Sequence, residues 1–198
     1  MKKLKISLFT LSVLVWGVSC NSSGTENTAN TDATAETSAM GDTASATDTN
    51  MAADATLDST SFPIMAASSD MFEISSSSQA QSKAVHADVK KFAGQMVTDH
   101  NKTTAELKTI ASSKNITLPT APLPKHQKMI ETISAGEANA FDKAYMDAQV
   151  KAHTEAVALF ENASQNEADP ELKAFAAKHL PHLKMHLDMA QKTQGMVK

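Results

Sequence analysis

The sequence predicts an all-α protein, a four-helix bundle with a short extra helix in the crossover. Three observations predict it. Apolar residues recur at steps of three and four over long stretches, as in Val85, Val89, Phe92, Met96 and then Leu107 and Ile110, which is the period of one helix face. Glycine is scarce, with six in 198 residues, and no long alternating β-branched run appears. Helix-ending chemistry punctuates the periodic runs, at Ser61-Phe62-Pro63, at Asn115, in the Pro-rich stretch 116–124 and at Asp169-Pro170.

Before the helices come two segments of different character. Lys2, Lys3 and Lys5 precede an apolar run from Ile6 to Val18, too short for a comfortable membrane span and suited to a signal peptide over residues 1–19. Gly17-Val18-Ser19-Cys20 resembles the lipobox of bacterial lipoproteins, with Gly17 departing from the usual Leu. That resemblance implies cleavage before Cys20, acylation of its thiol and a lipid-anchored protein of the bacterial envelope, periplasmic or outer-membrane-associated. An ordinary secreted protein with a chance Cys is the alternative. Cys20 is the sole cysteine, so no intramolecular disulfide can form.

Residues 20–60 are rich in Thr, Ala, Ser, Asn and Asp, with almost no large apolar side chain and no Lys. Such a stretch buries too little apolar area to offset its ordering entropy, so a disordered acidic linker is expected. The rest, residues 61–198, suits one domain with a single core. From Ser59 onward fifteen acids balance fifteen lysines, and Arg is absent. With no basic surplus and no bidentate guanidinium, nucleic acid is not an expected partner.

The first helix is expected to start near Phe62, with Ser61 as N-cap and Pro63 in the first turn. Its stripe is Ile64, Ala67, Met71, Ile74 and Ser78, flanked by Asp70 and Glu73. The second is expected from about Lys83 to Lys114, closed by Asn115 in a left-handed conformation. A short third helix follows over about Lys125–Ser134. Ser134 and Glu137 have capping-box spacing for a fourth helix, which runs to about Gln165. Asp169 caps a fifth, with Pro170 in its first turn and Glu171 beside the positive end of its dipole. This helix continues to about Thr193, and Pro181 inside it predicts a kink or break. The four long helices form the bundle.

Three histidines fall on apolar stripes. His100 continues Val89, Phe92 and Met96; His153 continues Met146 and Val150; His186 continues Leu172, Ala176, His179 and Leu183. An imidazole there needs partners for its nitrogens.

The ordered motifs Phe92-Ala93-x-x-Met96-x-x-Asp99-His100, Leu118-Pro119, Phe141-Asp142-x-x-Tyr145-x₇-His153 and Phe175-Ala176-x₃-Leu180-Pro181-x₄-His186-Leu187 resemble the bacterial domain-of-unknown-function family 4142. Glu73 also matches the family's glutamate on the first helix. The resemblance covers about Phe62 to Met196 and implies a ferritin-like helical bundle in an exported protein, without implying a reaction. Ser75 to Ser78, His179 and His182 depart from the family's pattern.

Glu73, His100, His153 and His186 thus fall one to a helix, and bundles build metal sites from facing helices. Imidazoles with one carboxylate suit one divalent transition-metal ion, Zn, Cu, Fe or Ni. Asp99, Asp142 and Tyr145 are candidates to orient the imidazoles by hydrogen bonds. The alternative is a hydrogen-bonded polar core in a structural or protein-interaction lipoprotein. A di-iron oxidase would need Glu-x-x-His on two helices, and the chain contains none. His182 and His186, four apart with His179 nearby, are a second possible ion-binding pair, against chance clustering on a partly exposed helix. His86 and His126 lie near helix starts and read as surface residues. Nucleophilic catalysis has little support: there is no Gly-x-Ser-x-Gly turn and no Gly-rich phosphate loop.

Overall fold

The computed structural model describes residues 58–197. The expected signal peptide, Cys20 and the linker up to residue 57 lie outside the described residues. Five helices account for the domain: α1 (Phe62–Lys83), α2 (Ala87–Ser113), α3 (Pro124–Ser134), α4 (Ala138–Asn166) and α5 (Pro170–Gln194). No described helix is long and apolar enough to cross a membrane.

Short turns join α1 to α2 and α4 to α5, so each pair is an antiparallel hairpin. The two hairpins pack through α1 on α4 and α2 on α5. Pairings run in opposite chain directions along both seams. Phe62 meets Phe160 while Ser77 meets Tyr145; His186 meets Asp99 while His179 meets Glu106. α2 and α4 therefore lie on a diagonal and run the same way, and the crossover between them carries α3, which packs on α1 and α4. This is the ferritin-like arrangement the sequence predicts.

Helix ends follow local chemistry in part. Asp169 accepts from the backbone N–H groups of Glu171 and Leu172 at 2.9 and 3.0 Å, and Lys114 pairs with Asp169 at 2.7 Å. Asn115 sits at φ 55°, closing α2 as expected. Three expectations need correction. α1 runs on to Lys83 and α2 begins only at Ala87, because the turn between them is held by Asp142 of α4. The Ser134–Glu137 capping box does not form: the Ser134 hydroxyl is used by Ile130 O and by Gln79 Oε1, each at 2.7 Å. α5 passes through Pro181 without a break.

Small residues bring α1 close to its neighbours. Ser68, Ser76 and Ser77 are fully buried, and each hydroxyl has a partner on another element: His126 Nδ1, Gln149 Nε2 and Tyr145 OH. His126 is therefore a buried residue and not a surface one; it bonds Ser68 at 2.6 Å and stacks on Phe72.

The core is divided. One apolar cluster includes Phe72, Val89, Phe92, Met96, Phe141, Tyr145 and Met146. Another includes Phe62, Leu107, Ile110, Phe160, Leu172 and Phe175. Along α2, α4 and α5 the boundary between them falls at His100, His153 and His186.

Candidate metal centre

Helix periodicity places each of these histidines within its apolar run, and the diagonal crossover brings the three to one depth. All are buried, between 1% and 3% exposed. The ring centroids form a nearly equilateral triangle: His100 to His153 is 5.7 Å, His100 to His186 is 5.6 Å and His153 to His186 is 5.6 Å. One nitrogen from each ring lies within 4.8 Å of one nitrogen of each of the other two.

Each ring has one engaged nitrogen. His100 Nδ1 is 2.8 Å from Asp70 Oδ1, His153 Nδ1 is 3.0 Å from the carbonyl of Gln149, and His186 Nε2 is 3.3 Å from Asp99 Oδ2. Every one of these partners is an acceptor, so each ring uses that nitrogen as its N–H donor. A neutral ring then carries its lone pair on the other nitrogen. Those others, His100 Nε2, His153 Nε2 and His186 Nδ1, are buried and have no hydrogen-bond partner. Carboxylate or carbonyl on one nitrogen and an open lone pair on the other is the arrangement of metal-ligating histidine.

Charge around the layer is uneven. Burial lowers His153 to about 3, helped by the neighbouring His100 and His186. Burial, with His100 beside it, lowers His186 to about 4, against the pull of Asp99. His100 also feels burial, but the hydrogen bond and charge of Asp70, with Glu73 and Asp99, lift it above the ordinary imidazole value. Burial raises the Glu73 carboxyl to about 7, against the charge of His100 and the Gln149 amide.

The other expected site residues fall into distinct places. Glu73 is 1% exposed and sits beside the layer, its Oε1 3.6 Å from His153 Nδ1. It faces the engaged nitrogen of His153 and is not among the three grouped imidazoles, so its place is beside that ring. Asp99 is hydrogen-bonded to an imidazole, that of His186, at 3.3 Å. Asp142 and Tyr145 bond to other groups. The Asp142 carboxylate accepts from the backbone N–H groups of Val85 and His86, at the start of α2. Tyr145 bonds Ser77 at 2.8 Å and stacks on Phe141. His179 is held by Glu106 at 3.0 Å and lies against Phe175. His182 is exposed, and neither it nor His179 joins a set of three convergent ligand groups among the described residues. Cys20 lies outside the described residues.

Sequence reasoning missed the part played by Asp70. It is 4% exposed, holds His100, and accepts from Thr104 Oγ1 at 3.0 Å. The available signal was its spacing of three from Glu73, which puts both acids on one face of α1. Gln149 was also missed; one turn before His153, it supplies the carbonyl that fixes that ring's proton.

A cleft of about 150 Å³ reaches the layer from outside, with His100, His186, Asp70, Asp99 and His182 in its wall. The donor set fits a transition-metal ion: three nitrogen ligands, no thiolate, and two carboxylates gripping the far side of two rings.

Comparison with known proteins adds fold and family. The fold is similar to that of a solved structure, CopM in the Cu(II)-bound form, with a TM-score of 0.57 and 18% identity over 68% of this chain and 93% of that one. No curated protein matches the chain. The family described as Domain of unknown function (DUF4142) matches residues 43–193, well over half of the sequence, and the chain belongs to that family.

Proposed function

We propose that this domain binds one divalent transition-metal ion through His100 Nε2, His153 Nε2 and His186 Nδ1, in an envelope protein tethered to the membrane by acylated Cys20. The reading is carried by three buried imidazoles, one nitrogen of each within 4.8 Å of one nitrogen of each of the others, and on every ring one nitrogen held by an acceptor and the other without a partner. Burying polar groups with nothing to bond is costly, and a bound ion removes that cost. The competing reading, a polar core that only fixes helix register, leaves five buried polar atoms without partners: these three, Glu73 Oε2 and Gln149 Oε1.

Among divalent ions an imidazole set holds Cu(II) most strongly, and the similar fold of CopM in its Cu(II)-bound form makes copper the first ion to test. When bound, such an ion supplies Lewis acidity or, for copper, electron transfer. The chain's own part is to hold three rings in fixed tautomers and to exclude water from two sides with apolar clusters. Asp70 keeps the His100 ring oriented as its proton leaves on binding, and Glu73 is placed to accept a proton beside His153.

Metal analysis and thermal unfolding of the purified protein test the reading. Near-stoichiometric Cu(II) or Zn(II) is expected after loading, with a raised melting temperature; at a hundredfold excess over Kd the added stability is about 2.7 kcal/mol. A protein that retains no Cu, Zn, Fe or Ni and shows no thermal shift with any of them overturns it.

A further inference from the structure

We propose that the cleft lined by α1, α2, α4 and α5 is the route by which the ion reaches the histidine layer, and that His182 at its rim is the first ligand to hold it. The inference rests on the metal-binding reading and concerns how the site is loaded.

The two apolar clusters flank the layer above and below, and His153, the least exposed of the three rings, lies against Phe92. The cleft wall contains His100 and His186 but not His153, so two of the three inner ligands are reached first from this side. Acceptor groups line the way, with Asp99 at the partly exposed end and Asp70 buried beside His100. Lys102 also borders the cleft, yet its ammonium is bound to Asp99 at 3.1 Å and its side chain is 72% exposed, so water and that carboxylate screen its charge.

His182 has the right position and the right freedom. It is one helical turn before His186 on α5, a spacing that puts both imidazoles on one face. It is exposed and borders the same cleft. Among the described residues no hydrogen-bond partner engages it, whereas His179, the other rim histidine, is tied to Glu106. His182 can therefore take an ion from solvent and pass it inward by ligand exchange with His186, without any rearrangement of the bundle.

A transfer ligand changes rates and not equilibrium. The full chain is mixed with Cu(II) chloride in a stopped-flow instrument, and loading is followed by the copper absorbance band. Unloading is followed after mixing with excess chelator. H182A is expected to slow both by about tenfold or more, the scale on which charged clefts alter capture rates, with stoichiometry and Kd unchanged. H182D, which puts a carboxylate ligand in place of the imidazole at the rim, is expected to recover most of the rate. Wild-type rates in H182A overturn the proposal, and so does lost stoichiometry, which would make His182 a resident ligand. Failure of the underlying reading is distinguishable, since wild type itself would then show no copper band.

Discussion

The rings of His100 and His153 stand edge to face at 5.7 Å, 72° apart, and the nitrogen that each leaves unengaged has no partner. Buried imidazole nitrogens without partners destabilise the metal-free protein, and His186 adds a third. Stability lost here is the expected mark of a place built for something else, because a uniform apolar core would have joined the two flanking clusters without a seam.

Replacement of His153 by Leu tests that trade directly. His153 is the most enclosed of the three and carries one partnerless nitrogen. H153L is expected to raise the stability of the metal-free protein by about 1–2 kcal/mol, the cost of an unsatisfied buried group, and to abolish the thermal shift caused by Cu(II). Denaturant unfolding with and without metal reads both. A less stable apo protein that still responds to copper would remove His153 from the site.

The same layer sets a pH dependence. His153 and His186 titrate at about 3 and about 4 when folded, against 6.5 ordinarily, so below 6.5 the unfolded chain binds the extra protons. Their contribution is complete above that value and is lost as pH falls. Glu73 acts in reverse. Raised from 4.5 to about 7, it keeps a proton when folded that the unfolded chain has released, so its contribution fades as pH rises through about 7. His100, also raised, fades on the alkaline side in the same sense. Two histidines outweigh one carboxyl on the acid side, so maximal apo stability is expected near about pH 6.5. H153L should flatten the acid limb and E73Q the alkaline one, in denaturant titrations across pH. A wild-type acid limb in H153L would contradict the assignment.

Much of this was readable in the sequence, for a physical reason. Periodicity is local, so the stripes that run through His100, His153 and His186 mark inward-facing rings before any packing is known. What periodicity does not carry is depth or competition. The α1–α2 break at Ala84–His86 depends on a carboxylate about 57 residues further on. Ser134 had the spacing for a cap, but Gln79 and Ile130 took its hydroxyl. His126 looked like a surface residue because it opens a short helix, and only the fit of α3 against Ser68 and Phe72 buries it. Asp70 and Asp142 are the same residue type with similar burial, and tertiary geometry alone decides that one holds an imidazole and the other a helix start.

That last distinction can be measured at Asp142. Its carboxylate is 2.7 Å from the backbone N of His86 and 3.1 Å from that of Val85, next to the first turn of α2. D142A leaves two backbone donors unsatisfied near a helix N-terminus and is expected to cost about 2 kcal/mol. Metal stoichiometry and affinity should stay those of wild type, because no imidazole loses a partner. A tenfold or larger fall in affinity, the size of loss about expected for a residue that orients a ligand, would return Asp142 to the site.

Asp70 should behave oppositely in kind. Its carboxylate accepts from His100 at one oxygen and from Thr104 at the other, with Asp70 and His100 buried and Thr104 partly so. D70A breaks a buried charge-assisted pair, with an expected cost of about 3 kcal/mol. It also removes the group that lifts His100 against the effect of burial, so the His100 pKa should fall below its wild-type value, visible in an NMR titration of that ring. Metal affinity is expected to drop by about 10- to 100-fold, the range for lost partners of ligating histidines. D70N separates the contributions. Its amide oxygen still accepts from His100 Nδ1 but carries no charge, so ring orientation survives while the pKa lift is lost. If D70N binds metal as D70A does, the charge of Asp70 matters more than its aim; if it binds as wild type does, the hydrogen bond alone positions the ring. A D70A protein with unaltered metal affinity would mean that His100 needs no such partner, and the three-histidine site would lose its best-formed member.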